Sequence, residues 1–215
     1  MHDEVTAQAL LRAAEEIAAA EGPDALSVRR VADAAGVSVR AVYSVYGSKD
    51  GMLAALGAYA FEVLGEAVRV LPATADPAAD LVEAAVAAFR RFVLEHPTLF
   101  RIGVQNDGAS PELVAGFVPA AAAALTHLRA RVARLADSRP LGAAGVDAAA
   151  DAGRERAIDM ATTQFHALCE GLAAVELRGL LPAGAEEQVW RDGITALVAG
   201  FRRPGGPLAA EWLRR

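Results

Sequence analysis

An all-helical fold is what this sequence predicts, and three observations carry the prediction. Apolar residues recur at helical spacing along most of the 215 residues, and no strand-like alternation persists. Alanine dominates the apolar count while β-branched and aromatic residues are modest, which favours helix over strand. Gly, Pro, Ser and Asp fall where helices of ordinary length would start and stop.

The elements follow in order. Leu10, Leu11, Ala14, Ile17 and Ala18 line one face of a first helix, which Gly22-Pro23 terminates. Ser27 caps a short second helix through Val28, Val31, Ala32 and Ala35, which stops at Gly36. Ser38 caps a third, with Ala41, Val42 and Val45 turned inward, and Gly47 breaks it. Ser48 caps a fourth, with Asp50 near its positive end, that runs through Met52, Leu53, Leu56, Phe61, Leu64 and Val68 to about Leu71.

Asp76-Pro77 opens a fifth helix through Leu81, Ala85, Ala88, Phe89, Phe92 and Val93, ending near His96-Pro97. A short apolar piece, Leu99 to Val104, precedes a break at Asn106-Asp107-Gly108. Ser110-Pro111-Glu112 opens a long helix along Val114, Phe117, Ala121, Leu125, Leu128, Val132 and Leu135, in which Pro119 predicts a kink. Ser138 to Gly145 reads as a loop. Ile158, Phe165, Leu168, Leu172 and Val175 mark the next long helix, to Gly179. Val189, Trp190, Ile194, Leu197, Val198 and Phe201 mark the last, and the tail from Pro207 adds a short turn.

Composition bounds the function. With 54% hydrophobic and 22% charged residues the chain can build one or two compact domains. A net charge of −6 gives no global basic field, so any nucleic-acid contact must come from a local patch. The single cysteine, Cys169, excludes an internal disulfide and suits a reducing compartment. The start MHDEVTAQ lacks the basic and apolar regions of a signal peptide. The longest apolar run, Leu113 to Leu125, is too short to span a bilayer. These features predict a soluble, cytoplasmic protein with no membrane partner.

The second and third helices form a helix-turn-helix pattern. Ala32 is small enough to let the helices approach, Gly36 takes a left-handed turn, and Val28, Val31, Val42 and Val45 close a small core. The third helix then offers Val39, Arg40, Tyr43 and Ser44 to a major groove. Arg40 suits guanine, because a guanidinium pairs with it in bidentate fashion, typically worth ~1–3 kcal/mol of discrimination. Tyr43 offers a hydroxyl to phosphate and a ring to a thymine methyl. Lys49, the one lysine among 21 basic residues, follows Ser48 at a helix start, where free N–H groups also attract phosphate. Arg29 and Arg30 are weaker DNA candidates, and Tyr46 is expected to close the small core.

Residues 10–56 resemble the amino-terminal domain of the TetR (tetracycline repressor) family of transcriptional regulators. Ser27, Ala35-Gly36-Val37-Ser38, Tyr43-x-x-Tyr46, Ser48-Lys49-Asp50 and Leu53 carry the resemblance. It implies that Ser27, Tyr43 and Lys49 contact phosphates while Val39 and Arg40 lie toward the bases; Arg29 and Ser38 complete the candidate set. Two positions depart from the family pattern. Arg40 stands in a region where small residues are common, and Gly51 stands where helix formers are common, which predicts a loosened start to the fourth helix.

The resemblance also implies the organisation. Residues 1–47 form the DNA-binding head and residues 48–215 an effector-binding and dimerising body, with 48–71 as the connecting helix. The implied dimer interface is Leu168, Leu172, Val175, Leu197, Val198 and Phe201. A homodimer suits a palindromic operator, because two heads about 34 Å apart match successive major grooves of double-stranded DNA. Phe89, Phe92, Phe100, Phe117 and Phe165 are core residues by spacing. The resemblance allows some of them, with His127 and Gln164, to line a pocket for a small-molecule effector; Arg101, Gln105 and His166 are further polar groups to inspect.

Catalysis and metal binding find little support. His96, His127 and His166 have no accompanying nucleophile motif, phosphate loop or carboxylate pair. His166 and Cys169 share a helix face but lack a third ligand, so a packed histidine and cysteine are expected. The reading is a ligand-responsive repressor with no enzyme activity, cofactor or metal. The competing reading is a small-molecule-binding or scaffold protein whose head has lost DNA affinity.

Overall fold

The structure, a computed structural model, describes residues 2–22, 25–105, 110–138, 148–203 and 205–208. All regular structure among them is helical, as the sequence predicts. The helices are α1 (His2–Glu21), α2 (Val28–Ala34), α3 (Val39–Tyr46), α4 (Lys49–Val70), α5 (Pro77–Glu83), α6 (Arg91–Glu95), α7 (Pro97–Leu99), α8 (Pro111–Asp137), α9 (Ala148–Leu177) and α10 (Glu186–Phe201). Pro23, the 106–108 break, most of the 138–145 loop and the tail beyond residue 208 lie outside the described residues.

Two segments differ from the sequence reading. The single helix expected through Val93 is α5 and α6 joined by a π-helical stretch, Ala84–Arg90. The apolar piece at Leu99 to Val104 is helical too: α7 runs into a second π stretch, Phe100–Gln105. Apolar spacing near 3.6 marks a helix but does not register a turn widened by one residue. Asp76 caps α5 through hydrogen bonds from the Ala78 and Ala79 amides, with Pro77 in the first turn. Pro119 lies inside α8, which is one helix on either side of it.

The chain divides into two compact units. The first comprises Met1–Leu64 with Phe92–Ala124, so the head shares a unit with most of α4 and with the start of α8. Its core includes Leu10, Ala14, Ala18, Leu26, Val31, Val42, Met52 and Leu56. Two contacts fasten α1 to the segment after α6: His96 Nδ1 lies 2.5 Å from Glu15 Oε1, and the buried Thr98 hydroxyl donates to Ala18 O at 3.3 Å.

The second unit comprises Gly65–Arg91 with Leu125–Arg215. Its core is built on Leu81, Leu135, Ile158, Phe165, Trp190, Ile194 and Phe201. A polar knot braces it. Arg90 Nη2 donates to Glu176 Oε1 at 2.8 Å and Trp190 Nε1 donates to Glu176 Oε2 at 2.7 Å, which satisfies a nearly buried carboxylate. By length and composition α4 and α8 would each suit a membrane span, but α4 puts Met52, Leu56, Ala60, Phe61, Leu64 and Val68 into the protein interior, as a core helix does.

Candidate nucleic-acid interface

Local chemistry sets the head. The Ser27 hydroxyl accepts from the Arg30 amide at 3.3 Å and starts α2; the Ser38 hydroxyl accepts from the Ala41 amide at 3.2 Å and starts α3. Gly36 between them has φ +67°, a left-handed turn that glycine takes at no steric cost. The Val37 amide closes that turn by donating to Ala32 O at 3.0 Å. Val28, Val31, Ala32 and Val42 are buried, so one side of each helix is used up in the small core. Tyr46 joins it: its hydroxyl donates to Ala7 O at 2.9 Å, and burial pushes its pKa up to about 12.

The other side is left outward. Val39 is 38% exposed and Tyr43 51% exposed, and Arg29, Ser38, Arg40 and Lys49 are exposed as well. Arg29, Arg40 and Lys49 make no ion pair among the described residues. Arg30 does: it holds the Glu21 carboxylate, keeping its pKa below the usual range, and donates to Ala25 O at 3.3 Å. Arg30 is thus a brace between α2 and the end of α1, a role no sequence spacing announced. Ser27 and Ser38 use hydroxyl lone pairs for capping, and each keeps its O–H to donate to a phosphate.

Gly51 overturns an expectation. Its place in the first turn of α4 does not loosen the helix. The Ser48 hydroxyl accepts from the Gly51 amide at 2.9 Å, and a Cβ on Gly51 would stand 2.0 Å from Tyr46 O. The glycine is there because the end of α3 and the start of α4 touch. Its presence among helix formers was the signal, and it marks a close approach.

Residues 10–56 match the family described as bacterial regulatory proteins, tetR family. The chain carries the TetR-family head. Solved structures extend the likeness to the whole fold. A protein of unknown function from Rhodococcus sp. RHA1 is 24% identical, with 91% of this chain and 94% of that one covered and a TM-score of 0.66. The TetR-family transcriptional regulator PfmR from Thermus thermophilus is 23% identical, with 90% and 99% covered and a TM-score of 0.56. A transcriptional regulator from Rhodococcus sp. Rha1 is 21% identical, with 90% and 96% covered and a TM-score of 0.54. At these identities the similarity is one of fold. No curated protein matches the chain.

Behind the TetR-family head the candidate residues fall in both units. Phe92, Phe100 and Phe117 are buried in the first unit, and Phe89 and Phe165 in the second. Phe89 meets the His166 ring edge-on at 5.8 Å and the Trp190 ring at 6.2 Å, so it is packed. Gln164 lines one cavity with Met160 and Pro207, and His127 lines another at the end of α4. Leu168, Leu172, Val175 and Leu197, expected at a dimer face, are partly exposed. Val198 and Phe201, expected beside them, are 4% and 1% exposed. They continue the Trp190–Ile194 stripe of α10 into the core of the chain itself, so they cannot form a surface for a second copy. Cys169 is buried, which pushes its thiol pKa up, and His166 is pulled below its ordinary value by burial, partly offset by Glu170. Among the described residues no group of three or more His, Cys, Asp and Glu is placed to hold a metal ion.

Proposed function

We propose that this protein is a DNA-binding transcriptional repressor that acts in the cytoplasm as a homodimer on a palindromic operator and is released by a small-molecule effector. The observation that carries the reading is the set of exposed cations on the helix-turn-helix. Arg69, Arg90, Arg129, Arg134, Arg154 and Arg191 each hold a carboxylate of the protein itself. Arg29, Arg40 and Lys49 face outward on α2, α3 and the first turn of α4, beside the exposed Tyr43, with no ion pair among the described residues. In an acidic chain, cations left without internal partners on a helix-turn-helix suit an external polyanion.

Roles follow from chemistry. Arg40, in the first turn of the recognition helix, reads a guanine edge, with Val39 against a neighbouring base. Lys49, Tyr43, Arg29 and the Ser27 and Ser38 hydroxyls hold phosphates and set the register. The two heads reach successive major grooves when Leu168, Leu172, Val175 and Leu197 meet their copies in a second subunit. An effector lowers DNA affinity only by binding one arrangement of the heads better than the other.

Fluorescence anisotropy with the DNA upstream of the gene tests the reading, over a series of salt concentrations. Lys49→Ala should weaken all sequences alike and reduce the slope of log K against log salt by about one per head. Arg40→Ala should lose discrimination at particular base pairs. Binding that ignores salt, or an Arg40→Ala profile identical to wild type, removes these roles. The net charge of −6 and the internal use of Arg30 favour a second reading, a ligand-binding protein whose head has lost DNA affinity. Absence of any salt-dependent binding would select it.

A further inference from the structure

A cavity of about 200 Å³ sits in the second unit where α4 ends. Arg69, His127, Arg131 and Arg134 line it, with Val68 and Leu71 among its apolar walls. All its charged or titratable lining side chains are basic, and no Asp or Glu contributes to it, in a chain whose net charge is −6.

The nearby carboxylates are already engaged. Glu66 takes two hydrogen bonds from Arg69, each 2.6 Å. Asp80, 3% exposed, accepts from the Thr74 hydroxyl at 2.6 Å and from Arg134 Nη1 at 2.6 Å. Among the described residues Arg131 makes no ion pair. Its guanidinium donates to Val68 O at 2.8 Å, Leu71 O at 2.6 Å and Pro72 O at 3.3 Å, so it caps the end of α4. Carbonyl dipoles satisfy donors without neutralising the charge, and this residue is only 8% exposed. Burial accordingly lowers its pKa from the ordinary value; Asp80 opposes that and Arg134 adds to it. Buried cations are ordinarily paired.

Donors remain for a partner. A guanidinium has five N–H groups. Arg131 spends three on the carbonyls of Val68, Leu71 and Pro72, and Arg134 spends one on Asp80 and one on Thr74 O. His127 makes no hydrogen bond among the described residues, and it lies near enough to Glu66 to influence its charge. We infer that this recess binds a small carboxylate with an apolar body, its charge held by Arg131, Arg134 and His127 and its body set against Val68 and Leu71. The volume lies below the ~300–1,000 Å³ of sites for drug-sized ligands, which limits the body to one ring or a short acyl chain. Charge and planar geometry both suit a carboxylate, which accepts paired N–H donors side by side.

The site stands apart from the DNA reading, and its test needs no DNA. Titration calorimetry on the full chain would use sodium benzoate, sodium butyrate, benzamide and inorganic phosphate. Saturable binding of benzoate or butyrate, with benzamide and phosphate much weaker, is the expected result. Arg131→Met keeps apolar volume and removes the charge, so carboxylate affinity should fall roughly 10- to 100-fold, the loss of a charge-assisted hydrogen bond. Because Arg131 also caps α4, His127→Leu supplies a second variant that leaves the three carbonyl bonds intact, and it should weaken the same probe several-fold. Benzamide binding as tightly as benzoate, phosphate matching both carboxylates, no saturation by either carboxylate, or wild-type affinity in His127→Leu would each overturn the inference.

Discussion

Replacing Gly51 by alanine sets two opposed effects against each other at the joint of α3 and α4. In an open helix interior the change would stabilise by about 1 kcal/mol, because glycine leaves more backbone freedom in the unfolded chain. Here the new Cβ would stand 2.0 Å from Tyr46 O. Carbon and oxygen ordinarily approach no closer than about 3.3 Å, so the overlap exceeds an ångström. The atom it meets belongs to the backbone, so no side-chain rotation relieves it. Tyr46 O also accepts from the Ser48 amide at 2.8 Å, and the corner cannot open without straining that bond. Overpacking of this kind typically costs about 1–3 kcal/mol, and with a backbone clash the upper half of that range applies. The net expectation is a loss of roughly 1–2 kcal/mol, or a fall in Tm of about 2–8 °C for a chain of this size. Lys49 opens α4 two residues before the clash, so DNA affinity should fall together with the Tm. Thermal unfolding by circular dichroism and anisotropy on operator DNA measure the two. A Gly51→Ala protein that melts at or above the wild-type temperature and binds DNA unchanged would refute the steric argument.

Tyr46→Phe removes the donor to Ala7 O and should cost about 1 kcal/mol in urea unfolding. The phenol also predicts a pH dependence: its folded pKa of about 12 lies above the unfolded value near 10. Its contribution is therefore complete below pH about 10 and is lost as pH rises toward about 12, and Tyr46→Phe should flatten that alkaline fall in Tm. Asp80→Asn should destabilise by about 2 kcal/mol, since it weakens the bonds to Thr74 and Arg134 in a buried place. Burial raises the Asp80 pKa, but the bonds from Thr74 and Arg134 outweigh it and leave the value lowered. Wild type should accordingly lose stability as pH falls below the ordinary aspartate range, and Asp80→Asn should lose less. Leu172→Arg should yield a folded monomer by sedimentation, whereas Val198→Arg should fail to fold because that position lies in the subunit core.

How legible each part was depended on how far its cause reached along the chain. The helix-turn-helix could be read because its causes are local. A serine hydroxyl caps the amide three residues on at Ser27 and Ser38, and Gly36 takes a turn that other residues resist. The apolar stripe of α10 was equally plain, but its destination was not. Trp190, Ile194, Val198 and Phe201 announce a buried face, and a face buried in its own subunit has the same period as one buried in a second copy. The sequence reading assigned Val198 and Phe201 to the partner; the fold keeps them. Long-range polar contacts carried no signal at all, as the separation of 63 positions between Arg131 and Val68 illustrates.

Gly51 shows the same limit from the other side. A residue that breaks a local rule, glycine among helix formers, was visible, but the rule could not say whether the breach was slack or necessity. Only the position of Tyr46 O decides that. The distribution of cations follows the same logic. Every arginine looks alike in the sequence, and pairing distinguishes them: Arg30 holds Glu21, and Arg40 one helix later is exposed with no ion pair among the described residues. Arg131, which the fold buries with no ion pair among the described residues, belongs to neither group, and that anomaly separates the recess at the end of α4 from the ordinary ion pairs around it.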